Sequence, residues 1–279
     1  MALILGKMKE SYDYVFYDLA DYRTKHLFPS PLVLFTMLPF YVYFSKSLGP
    51  RLMKDVKPFK LKKVILFYNI FQIVISAYIF FEGLSAGWLS EYSWTCQPVE
   101  MADNPTTRRM INGHWWYTLV KIIDLMDTVF FVLRKKDRQI SFLHLFHHTM
   151  MPVASFVGFK YFPNGHASLL GIINCLVHVV MYTYYLISGL GPQYQKYLWW
   201  KKHVTILQLV QFGIILIHNV TGYYVNCGFP RWIHVILIIH STQFLYMFGN
   251  FYYVNYIKTA KKDPKNGSVE TVTDKIKVN

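Results

Sequence analysis

Long apolar stretches separated by short polar connectors dominate the chain, at about 31 to 48, 64 to 89, 110 to 133, 140 to 159, 167 to 190, 203 to 224 and 232 to 257. Each is close to the roughly 20 residues that an α-helix needs to cross a hydrocarbon core. The pattern therefore predicts an all-α membrane domain of seven transmembrane helices over residues 31–257, preceded by a segment 1–30 and followed by a tail 258–279. The apolar run Met1 to Leu5 is too short for a secretory signal and runs into polar sequence, so no cleavable leader is expected.

Composition agrees. Of 279 residues, 53% are apolar, 18% aromatic and 16% charged, against the roughly 25% charged of a soluble domain. The formal net charge of +14 raises nucleic acid or anionic lipid as partners, and the placement of the charge decides between them. Twenty of the 29 Lys and Arg residues lie in the connectors after spans 1, 3 and 5 and in the tail, eight lie on the other side, and Lys121 sits inside a span. Such accumulation marks the cytosolic side, which puts the N-terminus in the lumen or exterior and the C-terminus in the cytosol. Nucleic-acid binding is disfavoured, because the charge is split among juxtamembrane loops and no nucleic-acid motif accompanies it.

That topology places Cys96 and Cys227 in non-cytosolic loops, where one disulfide can form if the compartment is oxidising. Cys175, inside span 5, reads as a packing residue. The sequons at Asn219 and Asn266 fall at a membrane boundary and in the tail, and neither is expected to carry glycan.

Polar residues inside the spans mark the candidate site, because an ionisable group at mid-bilayer costs about 2.5 to 3.5 kcal/mol on insertion scales. In span 3, Lys121, Asp124 and Thr128 share a helical face by their spacing, with Asp127 beside it. Span 4 opens with His144, His147 and His148, three imidazoles converging on one side of a helix. Span 5 carries His178, Tyr182 and Tyr185 on one stripe, and span 6 has Thr205, Gln208 and Gln211 at three-residue intervals. Asn69 and Gln72 in span 2 form a weaker pair, and His218, His234 and His240 show no pattern that assigns them a role.

Two chemistries fit the histidines. Imidazoles at this spacing suit iron or zinc, as in membrane di-iron desaturases and hydroxylases; those enzymes need several histidine boxes, and only one occurs here. Acyl transfer is the other. A neutral imidazole can attack a thioester to give an acyl-imidazole, with a second histidine moving protons and nearby amides and hydroxyls holding the oxyanion.

Four motifs in order give the chain a family resemblance: Lys121 to Thr128, His144 to His148, His178 to Tyr185 as His-x-x-Met-Tyr-x-Tyr-Tyr, and Thr205 to Gln211 as Thr-x-x-Gln-x-x-Gln. The sequence resembles the very-long-chain fatty acid elongases, membrane 3-ketoacyl-CoA synthases of the endoplasmic reticulum, over nearly its whole length. Asp124 stands where the family motif usually has Glu, which keeps the charge and shortens the reach by one methylene. The resemblance implies condensation of a long acyl-CoA with malonyl-CoA, releasing CoA and carbon dioxide, with no metal and no cofactor. It implies six helices in an inverted barrel around the remaining one, enclosing an acyl tunnel. It implies His147 as the acylated nucleophile and His178 as its partner, with His144 and His148 in support. Arg134, Lys201 and Lys202 are the candidates for contacting the CoA phosphates. The ending Lys275 to Asn279 resembles a dilysine retrieval signal. A homodimer and contacts with other enzymes of the elongation cycle fit the same resemblance, and acyl chain length cannot be read from sequence.

Overall fold

The computed structural model describes residues 2–24 and 31–258, with side chains from Leu5 onward. The tail motif at Lys275 to Asn279, the Asn266 sequon and the charges beyond Lys258 lie outside the described residues. Those described contain helices and no strand. In chain order they are α1 (Ala2–Asp13), α2 (Pro31–Tyr43), α3 (Gly49–Leu52), α4 (Lys62–Gly83), α5 (Pro105–Ile123), α6 (Met126–Leu133), α7 (Phe142–Tyr161), α8 (Ser168–Leu190), α9 (Lys201–Val225) and α10 (Arg231–Tyr252). A wide π-turn joins α2 to α3, and others extend α4 to Trp88 and α10 to Lys258.

Five of these helical stretches, Pro31–Leu52, Lys62–Trp88, Ser168–Leu190, Lys201–Val225 and Arg231–Lys258, are long and apolar enough to cross a membrane. The other two long helices, α5 and α7, are the ones that carry the Lys121 and histidine-box motifs. Part of their polarity belongs to the site and is buried, as with Lys121, whereas Arg108, Arg109 and Asn112 at the start of α5 are exposed.

The third expected span differs from the continuous stretch 110 to 133. It begins earlier, at Pro105, where the Asn104 side-chain oxygen accepts the Thr107 backbone N–H and the Thr107 hydroxyl oxygen accepts the Asn104 backbone N–H, a reciprocal cap followed by proline at the first helical position. It then breaks. At Leu125 and Asp127 the backbone bonds reach back three residues, to Ile122 and Asp124, instead of four, so the α-helical ladder is interrupted between α5 and α6.

Packing links α7 to α5, α5 to α4, α4 to α8, α8 to α9 and α9 to α10. Aromatic side chains close the remaining seam between α7 and α10: ring centroids lie 6.0 Å apart for Phe146 and Phe244, and 5.6 Å apart for Phe162 and Trp232. The expectation of six helices around a seventh is corrected here. Helix α2 is not enclosed, because one face packs Leu34, Leu38 and Tyr41 onto Leu145 and Phe156 of α7 while Leu32, Val33, Phe35 and Phe40 stay exposed. An apolar outer face costs nothing in lipid, so nothing drives this helix to the centre.

At the end where α4, α7 and α9 finish, Cys96 and Cys227 form a disulfide with Cα atoms 5.7 Å apart. The N-terminal segment docks at the same end. Backbone N–H of Asp21 and the Thr24 hydroxyl donate to the Lys160 carbonyl, each at 3.0 Å, and Arg23 donates to the Glu100 carbonyl. Asp21 beside Arg23 holds that guanidinium above its ordinary pKa.

Candidate active site

Lys121, on the last turn of α5, projects into the interior because its helix face is otherwise lined by Tyr117 and Val120, both buried. Its ammonium donates to Asp124 Oδ2 at 3.0 Å and to His178 Nε2 at 3.3 Å, and sits 5.0 Å from the centre of the Tyr117 ring. Because a lysine ammonium only donates, His178 Nε2 accepts, which leaves the imidazole proton on Nδ1. That nitrogen lies 3.9 Å from Asp124 Oδ2. That is too long for a hydrogen bond, and His178 Nδ1 is buried without a partner among the described residues.

Asp124 is the hub. Besides Lys121 it accepts from Gln72 Nε2 at 2.7 Å and from the Tyr182 hydroxyl at 3.2 Å. Gln72 also donates to the Tyr68 hydroxyl at 2.9 Å, and the Tyr182 hydroxyl reaches Asp127 Oδ2 at 2.8 Å. Lys121, Asp124, Gln72 and Tyr182 are all buried. A buried ion pair holds together when hydrogen bonds satisfy the remaining lone pairs, and here α4 and α8 supply them.

The histidine box lies on the first two turns of α7, behind a Ser141 side chain that accepts the His144 backbone N–H. His144 and His148, one turn apart, have ring centroids 4.1 Å apart, and His147 lies 5.6 Å from His148. His144 Nε2 is 2.7 Å from the Thr128 hydroxyl, which is 2.6 Å from the Tyr41 hydroxyl of α2. His148 reaches the backbone of Asp124 at the break between α5 and α6. Pro152, four residues further on, lacks the N–H that would have bonded the His148 carbonyl. His147 points toward α10, with its ring 5.1 Å from Phe244, and lies within electrostatic range of Lys121, His178 and Asp124. Its Nδ1 is buried without a hydrogen-bond partner among the described residues.

An apolar cavity of about 310 Å³ lies among α4, α5, α7, α8 and α10; the charged groups and imidazoles of the cluster are not in its wall, and Tyr117, whose ring is 5.0 Å from the Lys121 ammonium, stands between the two. Tyr117, Met150, Met151 and His240 line the near end; Gly83, Met110, Phe162, Ser168 and Trp232 line the part toward the disulfide.

The structure thus brings together Lys121, Asp124, Asp127, His178 and Tyr182, and places His144, His147 and His148 beside them. Thr128 leaves the expected face, since the break turns it toward His144. Tyr185 is half-exposed, its ring 5.9 Å from that of Tyr182. Gln208 donates to the Met181 sulfur at 3.8 Å and Thr205 bonds Tyr256, so these two tie α9 to its neighbours. Gln211 is buried. Arg134 caps α6, and Lys201 and Lys202 open α9, with no hydrogen bond from these three to the cluster. Sequence reasoning gave Gln72 little weight and missed Tyr68 and Tyr41; the available signal was a tyrosine and an amide one turn apart in span 2.

His166, His218 and His234 form a second cluster, under the disulfide. His166 and His218 stack with centroids 3.7 Å apart, and His234 stands 4.6 Å from His166. Burial pushes the His166 imidazole, which lies outside the spans, down to about 3, helped by the neighbouring His218 and His234. Among the described residues no group of His, Cys, Asp or Glu is arranged to hold a metal ion.

Fold and site together define a multi-pass helical membrane protein with a buried, charge-paired histidine cluster and an apolar cavity between the same helices. Comparison with known proteins narrows the class. Residues 26–264 match the family described as ELO: GNS1/SUR4. Very long chain fatty acid elongase 1 of Mus musculus is 44% identical over 260 residues, covering 91% of this chain and 92% of the mouse protein. The human elongase 1 is 45% identical over 235 residues (83% and 84% covered), and elongase 7 of Rattus norvegicus is 42% identical over 259 residues (90% and 92% covered). The chain belongs to the ELO family, and its place is in fatty acid elongation.

Proposed function

We propose that the protein is a 3-ketoacyl-CoA synthase of the endoplasmic reticulum membrane, joining a long-chain acyl-CoA to malonyl-CoA. The observation that carries this reading is the position of the imidazoles beside the Lys121–Asp124 pair, on the same helices, α5, α7 and α8, whose next turns wall an apolar cavity. An acyl chain gains about 0.8 kcal/mol per buried CH₂ in such a space.

In this reading a His147 ring nitrogen attacks the thioester carbonyl. The carbon–sulfur bond breaks, CoA leaves as a thiol with a proton from the site, and the acyl group stays on the imidazole. Malonyl-CoA then loses carbon dioxide, the electron pair of the broken bond becomes the enolate carbon nucleophile, and that carbon takes the acyl group, freeing His147. The His178 Nδ1–H and the Lys121 ammonium face the cluster as donors for the developing oxyanion. No step calls on a metal. His144, held by Thr128, and His148, held at the Asp124 backbone, orient the box.

The six helices from α4 through α5, α7, α8, α9 and α10 form the barrel, with α2 outside and seven spans in all. The cytosolic end is the one bearing Arg134, Lys201 and Lys202, from which CoA phosphates are contacted. The Cys96–Cys227 bond, which needs an oxidising compartment, then lies in the lumen with the N-terminal segment.

Labelled malonyl-CoA and a panel of acyl-CoAs, supplied to microsomes carrying the wild type, His147→Ala or His178→Ala, test the reading. The expected result is a product two carbons longer in the wild type and a loss of about 10²- to 10⁴-fold in either variant. Equal product in all three refutes it.

A further inference from the structure

Four glycines line the cavity; two have a close neighbour that excludes a side chain, and a third would be in ordinary contact. A Cβ at Gly83 would fall 2.6 Å from Ile172, one at Gly158 would fall 3.2 Å from His114, and one at Gly171 would rest 3.6 Å from Tyr117. Gly113 differs. It is buried in the middle of α5, yet a Cβ there would meet nothing within 4 Å. A glycine inside a helix weakens it relative to alanine, and here neither a close neighbour nor an unusual backbone angle demands one. The open space its missing side chain leaves is the cavity.

The level of Gly113 matters. It precedes Lys121 by eight residues, roughly 12 Å at about 1.5 Å per helical residue. An acyl chain running from the histidine cluster along α5 passes Gly113 before it reaches the space around Met110, Gly83 and Trp232. We propose that Gly113 sets the upper limit of acyl chain length, its missing side chain forming the passage into the far part of the cavity. The proposal rests on the elongase reading and adds to it the residue that selects among substrates. A leucine here projects into the lumen of the cavity and blocks only chains long enough to pass it.

The test compares wild type, Gly113→Ala, Gly113→Leu and the control Gly213→Leu, whose glycine also faces open space but does not line the cavity. Each is purified in detergent, checked by thermal unfolding, and assayed with labelled malonyl-CoA across saturated acyl-CoAs of increasing length. Gly113→Leu is expected to lower kcat/KM for the longest wild-type substrates by about ten- to hundredfold, the range of an overpacked site, while the shortest stay within about twofold. Gly113→Ala shifts the limit the same way by less and melts no lower than wild type; Gly213→Leu leaves the profile unchanged. An unchanged length profile in folded Gly113→Leu, or an equal loss at every length, overturns the proposal. If the leucine variant does not fold, an unchanged limit in Gly113→Ala overturns it. A wild type that adds no two-carbon unit would instead refute the elongase reading, so the two failures are told apart.

Discussion

Asp124 carries more of the site than any other residue, because one carboxylate fixes Lys121, Gln72 and Tyr182 from three helices. Its pairing with Lys121 is legible in sequence, since residues three apart in a helix meet. Gln72 and Tyr68 are not, because periodicity within α4 says which residues share a face but not which helix that face meets. Replacing Lys121 by Met leaves Asp124 buried without its counter-ion and should cost about 3 to 5 kcal/mol. Thermal unfolding should show it as a lowered melting temperature. Gln72→Leu keeps the ion pair and removes two hydrogen bonds, a charge-assisted one to Asp124 and a neutral one to Tyr68; elongation should fall by about tenfold or more while the fold survives. His166 supplies the pH dependence at this scale. It stays neutral in the fold down to about 3, whereas an unfolded histidine gains its proton near about 6.5. Between those values the unfolded chain binds more protons, so stability rises with pH and is lost as pH falls below that unfolded value. Melting curves between pH 7.5 and 5 should show this loss, and His166→Gln should lessen its slope by one histidine's share, the other buried histidines keeping the rest; an identical slope in the variant would contradict the assignment.

Helices were the most legible level, and their breaks the least. Apolar stretches of spanning length located the helices to within a few residues, except that the third starts at a proline-headed cap and divides at Asp124. No glycine or proline marks that division, so composition gives no warning of it. Its consequence is that Thr128 bonds His144 and Tyr41 instead of continuing the Lys121 face. Thr128→Val should therefore reduce turnover more than Thr128→Ser, which keeps the hydroxyl, with similar melting temperatures for both. The disulfide joins elements 131 residues apart in sequence, and closing so long a loop restricts the unfolded chain. Cys96→Ser with Cys227→Ser should cost about 2 to 5 kcal/mol, read as a lower melting temperature in detergent with no change in length preference.

At the scale of the whole molecule, neighbouring helices wall an apolar cavity and, on other turns, meet at a buried polar cluster. The long helices and the charge asymmetry could be read from sequence, and five of those helices are long and apolar enough to cross a membrane. That α2 lies outside could not, because lipid and a protein interior select the same apolar residues. The same ambiguity hid the cluster of His166, His218 and His234, which come from three separate parts of the chain and show no common spacing. What the molecule does depends on whether an imidazole of α7 takes the acyl group before malonyl-CoA arrives. The most direct measurement incubates purified protein with a long-chain acyl-CoA alone, then digests it and locates added mass by tandem mass spectrometry. The account predicts one acyl group on His147, lost from His147→Ala and discharged as the elongated product when malonyl-CoA is added. Full elongation activity with no acylated histidine at any time point would contradict it.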